Sequence, residues 1–340
     1  MLVLMRADHR QEDVDRVVEK IKAKGFKSHI IPGDHSVAIG ITGNSGALSK
    51  EEFEALPGVE EAIRVTRSYK LAGREFHAGS REITVGGVTF RDGAFVVMAG
   101  PCAVESEEQT LRIARKIKEA GVPVMRGGAF KPRSSPYSFQ GLGEEGLKIL
   151  AKAREETGLP VVTEALDSES LRLVADYADI IQIGTRNMQN FSLLQEVGKA
   201  GKPCLLKRGF SATIDEWLMA AEYILDSGNP DVILCERGLR GFDPHTRNLL
   251  DITAVPVAKE LSRLPVVIDP SHSAGRRTLV DPICRAALAI GASGVLVDVH
   301  DRPDEALVDG PQAILPDELN AMMATLKRLA GALEIDLPVK

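Results

Sequence analysis

The sequence predicts a (β/α)8 barrel of the TIM type, preceded by a small ferredoxin-like α+β domain. Three observations lead there. From residue 93 onward, short apolar runs alternate with amphipathic stretches over about 250 residues, the pattern of parallel strands each followed by a helix. Residues 1–66 take a different order, βαββαβ, which is that of a ferredoxin-like unit. No GxGxxG stands after a first strand, which removes the main support for the structural rival, a doubly wound open sheet.

In the leading unit, Met1–Met5 is apolar and strand-like. Gln11–Lys24 places Val14, Val17, Val18 and Ile21 at helical spacing, and Gly25 fits the helix end. Ser28–Pro32 and Ser36–Ile41 read as a hairpin turning at Gly33-Asp34. Ser49–Ala55 reads as a short helix opened by a Ser cap, with Glu51 and Glu52 favourable in its first turn. Val59–Val65 closes the unit as a fourth strand. Nothing in it looks catalytic. Residues 67–92 read as a linker and then a hairpin, Glu82–Phe90, turning at Gly86-Gly87.

Residues 93–340 form the barrel. Its eight strand runs are Phe95–Ala99, Pro123–Met125, Pro160–Val162, Asp179–Ile183, Cys204–Leu206, Val232–Cys235, Pro265–Ile268 and Gly294–Val297. Glu107–Ala120, Glu145–Thr157, Ser168–Tyr177 and Ile214–Ser227 are amphipathic stretches between them, and Pro316–Leu333 completes the outer ring.

Composition narrows the class. The 340 residues are 44% apolar and 26% charged, enough for a large core in an ordinary globular protein. The net charge of -6 argues against general nucleic-acid binding, so a local cluster of cations needs a local reason. The first ten residues do not resemble a signal peptide, and no apolar stretch reaches membrane-spanning length. Four cysteines, Cys102, Cys204, Cys235 and Cys284, form no CxxC pair. A reducing cytoplasm, with the cysteines as free thiols or metal ligands, is the expected setting.

The residues after each strand run carry the chemistry, because the C-terminal rim of such a barrel is where active sites are built. Arg126, Arg186, Lys207, Arg208, Arg237 and His272 stand at these ends, and the loop after Met125 adds Lys131 and Arg133. Any one of them reads equally well as solvated surface charge or as a partner of Glu164 or Glu236. Six or seven converging on one rim of an acidic chain read better as anion ligands. Arg offers bidentate donors to phosphate, and two phosphorylated substrates account for the number. Gly127, Gly128, Gly184, Gly209 and Gly238 adjoin these cations, either to let the backbone approach an anion or to make tight turns. A second constellation, Cys102, His272, Asp298 and Asp309, comes to the same rim. One thiol, one imidazole and carboxylates suit a divalent transition metal such as Mn, Fe, Co or Zn. Taken singly, Cys102 reads as a buried structural thiol and His272 as a hydrogen-bonded loop histidine.

Several segments match a known family in order: Gly100-Pro101-Cys102-Ala103-Val104-Glu105-Ser106, Arg126-Gly127-Gly128-Ala129-Phe130-Lys131-Pro132-Arg133-Ser134-Ser135-Pro136, and Ile183-Gly184-Thr185-Arg186-Asn187-Met188-Gln189-Asn190. Leu206-Lys207-Arg208-Gly209, Cys235-Glu236-Arg237-Gly238 and Asp269-Pro270-Ser271-His272 come after them. Over about residues 93–335 the chain resembles 3-deoxy-D-arabino-heptulosonate 7-phosphate (DAHP) synthases, the first enzymes of the shikimate pathway. The leading unit resembles the regulatory domain of one branch of that family. The resemblance implies that Arg126, Lys131, Arg186, Lys207 and Arg237 hold phosphoenolpyruvate. It assigns Lys131, Pro132, Arg133 and Ser134 to erythrose 4-phosphate, and Cys102, His272, Asp298 and Asp309 to the metal. One position departs from the pattern: the family's third metal ligand is usually Glu, and Asp298 is shorter by one methylene. The resemblance further implies a homotetramer, and feedback inhibition by an aromatic amino acid sensed in the leading unit.

The expected reaction is attack of the enol carbon C3 of phosphoenolpyruvate on the aldehyde, addition of water at C2, and loss of phosphate. Lys131 is the candidate proton donor, and Glu164 and Glu236 are the candidates to handle the water. Two rivals remain. One is the related synthase that makes 3-deoxy-octulosonate 8-phosphate from arabinose 5-phosphate; it typically carries an Asn-Arg-Ser segment where this chain has Lys131-Pro132-Arg133. The other is a non-catalytic effector-binding barrel, against which Cys102, His272 and Asp309 argue.

Overall fold

A computed structural model describes residues 1–32, 36–43, 48–64, 68–75 and 79–340, in two compact units, Met1–Gly79 and Ser80–Lys340. In the first unit the elements are β1 (Leu2–Met5), α1 (Gln11–Ala23), β2 (Lys27–Pro32), β3 (Val37–Thr42), α2 (Glu51–Glu54) and β4 (Val59–Ile63). The sheet order is β2-β3-β1-β4, all antiparallel, as the ferredoxin-like reading requires. Val14, Val17 and Ile21 of α1 are buried against Val3, Met5, Ile39 and Ile41, which is why their spacing was informative. Two details differ from expectation. Ser49 does not cap α2: Lys50 holds that position without a side-chain cap, and the Ser49 hydroxyl donates to Glu51 Oε2 at 2.6 Å. The unit also continues to Gly79, with Tyr69 and Ala72 buried, so the segment after residue 67 packs instead of running free. The turn at Gly33-Asp34 and the strand end at Val65 lie outside the described residues.

The second unit opens with the expected hairpin, β5 (Ile83–Val85) and β6 (Val88–Phe90). Eight parallel strands then close into a barrel: β7 (Val96–Gly100), β8 (Val124–Arg126), β9 (Val161–Ala165), β10 (Ile180–Ile183), β11 (Cys204–Lys207), β12 (Val232–Glu236), β13 (Val266–Ile268) and β14 (Gly294–Asp298). The surrounding helices are α3 (Glu107–Glu119), α4 (Glu144–Thr157), α5 (Ser168–Tyr177), α6 (Phe191–Lys199), α7 (Ile214–Asp226), α8 (Ala254–Leu261), α9 (Pro270–Ala274), α10 (Arg277–Ala289) and α11 (Pro316–Ala332). Local chemistry sets many of their starts. Ser106, Asp167, Asn190, Thr213 and Asp269 each accept a backbone N–H in the first turn, satisfying donors the helix cannot.

The interior is layered. Met98, Val124, Val162, Ile180, Leu205, Ile233, Val267 and Leu296 share one core cluster with Ile83, Val85, Val88 and Phe90 of the hairpin. A Cβ on Gly86 would touch Pro160, just before β9, so the hairpin stops the N-terminal end of the barrel. Side chains alternate inward and outward along each strand. Two residues beyond these apolar positions therefore comes the next inward set: Gly100, Arg126, Glu164, Gln182, Lys207, Cys235, Asp269 and Asp298. The barrel thus changes from an apolar filling to a layer rich in charge at its C-terminal end.

Gly100 makes room in that layer. It pairs with Asp298 across β14, and a Cβ there would lie 2.0 Å from the carbonyl oxygen of Arg126. Gly100→Ala is expected to destabilise the second unit by about 3 kcal/mol, the upper range for overpacking a closed core. Thermal unfolding should show its midpoint lowered by roughly 5–10 °C; an unchanged midpoint would mean the strands separate freely at this point.

Candidate active site and metal centre

The charges inside the barrel are paired with one another, as burial demands. Lys207 Nζ donates to Asp269 Oδ2 at 2.5 Å, and Arg126 pairs with Asp298 through Nη1 and Oδ1. Burial works against charge on Lys207, but Asp269 outweighs it and raises its pKa. Burial likewise opposes charge on Arg126, and Asp298, Cys102 and Asp269 together overcome it. Asp269 is fully buried. Its Oδ1 caps α9 by accepting the His272 N–H at 2.9 Å, and its Oδ2 lies 2.9 Å from His272 Nδ1, off the line of a hydrogen bond. Burial pushes the Asp269 pKa up, but His272 and Lys207 bring it well below the ordinary carboxylate value.

Around His272 the four expected metal ligands meet. The ligand atoms of Cys102, His272, Asp298 and Asp309 all lie within 4.8 Å of one another. Cys102 Sγ is 3.4 Å from Asp309 Oδ2 and 3.8 Å from His272 Nε2, and Nε2 is 3.5 Å from Asp309 Oδ2. Burial opposes a charged imidazole, yet Asp269 and Asp298 push the His272 pKa up to about 10. Burial raises the Asp309 pKa, but hydrogen bonding and charge from His272, then Arg247 and Lys131, carry it far below the usual carboxylate range. Carboxylates converging on one imidazole and one thiol favour a positive charge at Nε2.

Beside this cluster lies a cavity of about 270 Å³. Six cations line it, Lys131, Arg133, Arg186, Lys207, Arg237 and Arg247, against two carboxylates, Glu164 and Asp309. Pro132 and Ser134 are also on its wall, and Arg186 Nη2 donates to Ser134 Oγ at 3.2 Å. Lys131 reaches back to the thiol, its Nζ 2.8 Å from the Cys102 carbonyl oxygen and 3.2 Å from Sγ. Phe210 holds three guanidinium groups around its ring, those of Arg237, Arg240 and Arg186 at 4.8, 5.3 and 5.7 Å. Arg133 Nη1, Thr185 Oγ1 and Arg126 Nε are buried with no hydrogen-bond partner among the described residues.

The two glutamates part company here. Glu164 faces inward and lines the cavity, with Gln182 Nε2 donating to its Oε2 at 3.1 Å. Gly184 lets it stand there, since a Cβ at 184 would lie 1.9 Å from Glu164 Oε1. Glu236 falls on the outward-facing side of β12 and is fully buried away from the cavity. Its Oε2 accepts from Arg208 at 2.9 Å and its Oε1 from the Gly238 N–H at 2.7 Å. Burial raises its pKa, but both oxygens already have donors, so it braces the loop carrying Arg237 and does not line the cavity. Arg208 joins it on that side, against Asp251 and the Trp217 ring. Four contributors escaped the sequence reading as site residues: Asp269, Arg247, Gln312 and Phe210. Asp269 and Phe210 were legible as neighbours of recognised motifs. Arg247, which donates to Asp309 at 3.0 Å and Gln312 at 2.8 Å, comes from a long loop that carries no periodic signal. The remaining cysteines, Cys204, Cys235 and Cys284, are fully buried with thiol pKa values pushed up by desolvation, as structural thiols should be.

The chain is similar to known proteins along nearly its whole length. Residues 76–334 match the model of the DAHP synthetase I family, and residues 1–67 match the DAHP synthase ferredoxin-like domain. A phospho-2-dehydro-3-deoxyheptonate aldolase of Thermotoga maritima is 49% identical over 335 residues, covering 98% of this chain and 99% of the relative. A 2-dehydro-3-deoxyphosphooctonate aldolase of Geobacter sulfurreducens is 34% identical over 74% of this chain and 98% of its own length. A crystal structure of the DAHP synthase from Thermotoga maritima superposes with a TM-score of 0.79 at 48% identity, covering 99% of this chain and 98% of that one. With a matched barrel, a matched leading domain and a relative nearly half identical from end to end, the chain belongs to the DAHP synthetase I family.

Proposed function

We propose that the barrel condenses phosphoenolpyruvate with erythrose 4-phosphate, giving DAHP and inorganic phosphate, and that it does so with a divalent metal bound within the cluster of Cys102, His272, Asp298 and Asp309. The observation that carries this reading is the cavity: six cations face two carboxylates on its wall, directly beside a thiol, an imidazole and an aspartate within bonding range of one ion. The donor set fits Mn, Fe, Co or Zn.

Arg126, Lys131, Arg186, Lys207 and Arg237 are assigned to phosphoenolpyruvate, and Lys131, Pro132, Arg133 and Ser134 to erythrose 4-phosphate. Two anions that repel in water are brought together because the wall neutralises both, converting their encounter into an oriented one. The metal supplies, when bound, a Lewis acid for the aldehyde oxygen. C3 of phosphoenolpyruvate bonds to the aldehyde carbon, and Lys131 delivers a proton to the resulting alkoxide. Bond formation leaves C2 electron-poor; water adds there and gives a proton to Glu164, and the C2–O bond to phosphate then breaks as the new C2 hydroxyl passes its proton to the departing phosphate and becomes the ketone. Glu164 is preferred over Glu236 because only Glu164 reaches the cavity. The leading unit is read as the sensor of an aromatic amino acid effector, and the assembly as a homotetramer. Among the described residues, no helix is long and apolar enough to cross a membrane.

Three measurements test this. Product analysis with erythrose 4-phosphate and arabinose 5-phosphate, each with and without a chelator, should give the seven-carbon product only, and only without the chelator. Turnover of the five-carbon aldehyde at a comparable rate would move the chain to the related synthase. Arg133→Ala should raise the KM for erythrose 4-phosphate at least about tenfold, as loss of a charge-assisted bond implies, and leave that for phosphoenolpyruvate nearly unchanged. Equal effects would undo the division of the wall. Gly184→Ala should displace Glu164 and lower kcat about 100-fold or more, the usual worth of a positioned acid or base; wild-type kcat would remove Glu164 from the chemistry.

A further inference from the structure

Asp298 ends β14 with its side chain fully buried inside the barrel. Both carboxylate oxygens already have donors. Oδ1 pairs with Arg126 Nη1, and Oδ2 accepts from Gln312 Nε2 at 2.6 Å. The backbone N–H is anchored to Ser271 Oγ at 2.9 Å, so the strand end is not free to slide. The approach to His272 is from the Nδ1 side, where Oδ2 stands 3.7 Å from that nitrogen. The other three candidate ligands gather on the opposite nitrogen. Cys102 Sγ, His272 Nε2 and Asp309 Oδ2 form a triangle with sides of 3.4, 3.5 and 3.8 Å. Ligands at about 2.0–2.3 Å from a tetrahedral ion stand roughly 3.5 Å apart, so this triangle already has the dimensions of a coordinated set.

We propose that in this chain the metal is bound by three side chains, Cys102, His272 through Nε2, and Asp309, while Asp298 remains outside the coordination sphere as the fixed counter-charge of Arg126. The inference rests on the metal reading above and deepens it: the site keeps an open position, and the third carboxylate serves the guanidinium. Moving Asp298 onto the ion would strip Arg126, which is also buried, of its only carboxylate hydrogen-bond partner among the described residues. A glutamate at this position would carry its carboxylate one methylene farther and reach past the arginine.

The test uses the full chain, stripped with a chelator and titrated with Co(II), reading the thiolate-to-metal charge-transfer band, the visible d–d bands and the Kd by competition with a chromophoric chelator. Asp298→Asn is expected to match the wild-type spectrum at saturation and to weaken binding by about 10–100-fold, as loss of an outer partner does. Asp309→Asn should shift the d–d bands and weaken binding by more than about 100-fold, and Cys102→Ser should abolish the charge-transfer band. Asp298→Glu, which keeps the charge and serves if the amide variant fails to fold, should lower the d–d intensity as a fourth protein ligand joins. The inference is overturned if Asp298→Asn alters spectrum and affinity as Asp309→Asn does, or if Asp298→Glu leaves the spectrum unchanged. Absence of a charge-transfer band in the wild type would instead sink the metal centre itself, and this inference with it.

Discussion

The site depends on one buried carboxylate. Asp269 accepts from Lys207, caps the helix that carries His272, and stands against the imidazole's Nδ1. A carboxylate with no exposure is tolerated only because two cationic groups and a helix N-terminus answer its charge. In return it settles which face of His272 is turned toward Cys102 and Asp309, and it holds Lys207 at the cavity wall. The cluster around His272 and the cation-lined wall are therefore one electrostatic unit sharing a central aspartate.

A second constraint lies beneath it. Inside a closed parallel barrel every strand contributes a side chain to each layer, so a polar layer must be balanced around the full circle. Here the apolar layer is stopped at one end by the hairpin, and the next inward positions bring Arg126, Glu164, Lys207, Asp269 and Asp298 together. Arg126 with Asp298 and Lys207 with Asp269 neutralise each other across the layer. The loops above add Lys131, Arg133, Arg186, Arg237 and Arg247 in excess of acids, a surplus suited to phosphorylated anions. Phe210 lies within cation–π range of two of these arginines, Arg186 and Arg237, and of Arg240 nearby.

Much of this was legible along the chain. The eight strand runs correspond within a residue or two at most ends to the observed strands, because runs buried on both faces read as continuous apolar stretches bounded by helical periodicity. That Arg126, Arg186, Lys207, Arg237, Cys102, His272 and Asp298 arrive at one rim was legible from their positions at or just after the C-terminal ends of those runs. Glu236 marks the limit. It adjoins the same motif as Arg237, yet the alternation of β12 sends it to the helix side, where Arg208 and the Gly238 N–H occupy it. Counting alternate residues from Ile233 would have placed it outward; proximity to a motif did not.

The amino-acid order alone therefore dictated the succession of elements, the two units, the family, and which residues arrive at the C-terminal rim, since these depend on periodicity and local chemistry. Which charges neutralise one another, and which face a ligand, was settled only when the chain closed in three dimensions. Those outcomes depend on strand register, on inward or outward parity, and on close approaches such as Gly184 to Glu164, all of which join residues far apart in the chain.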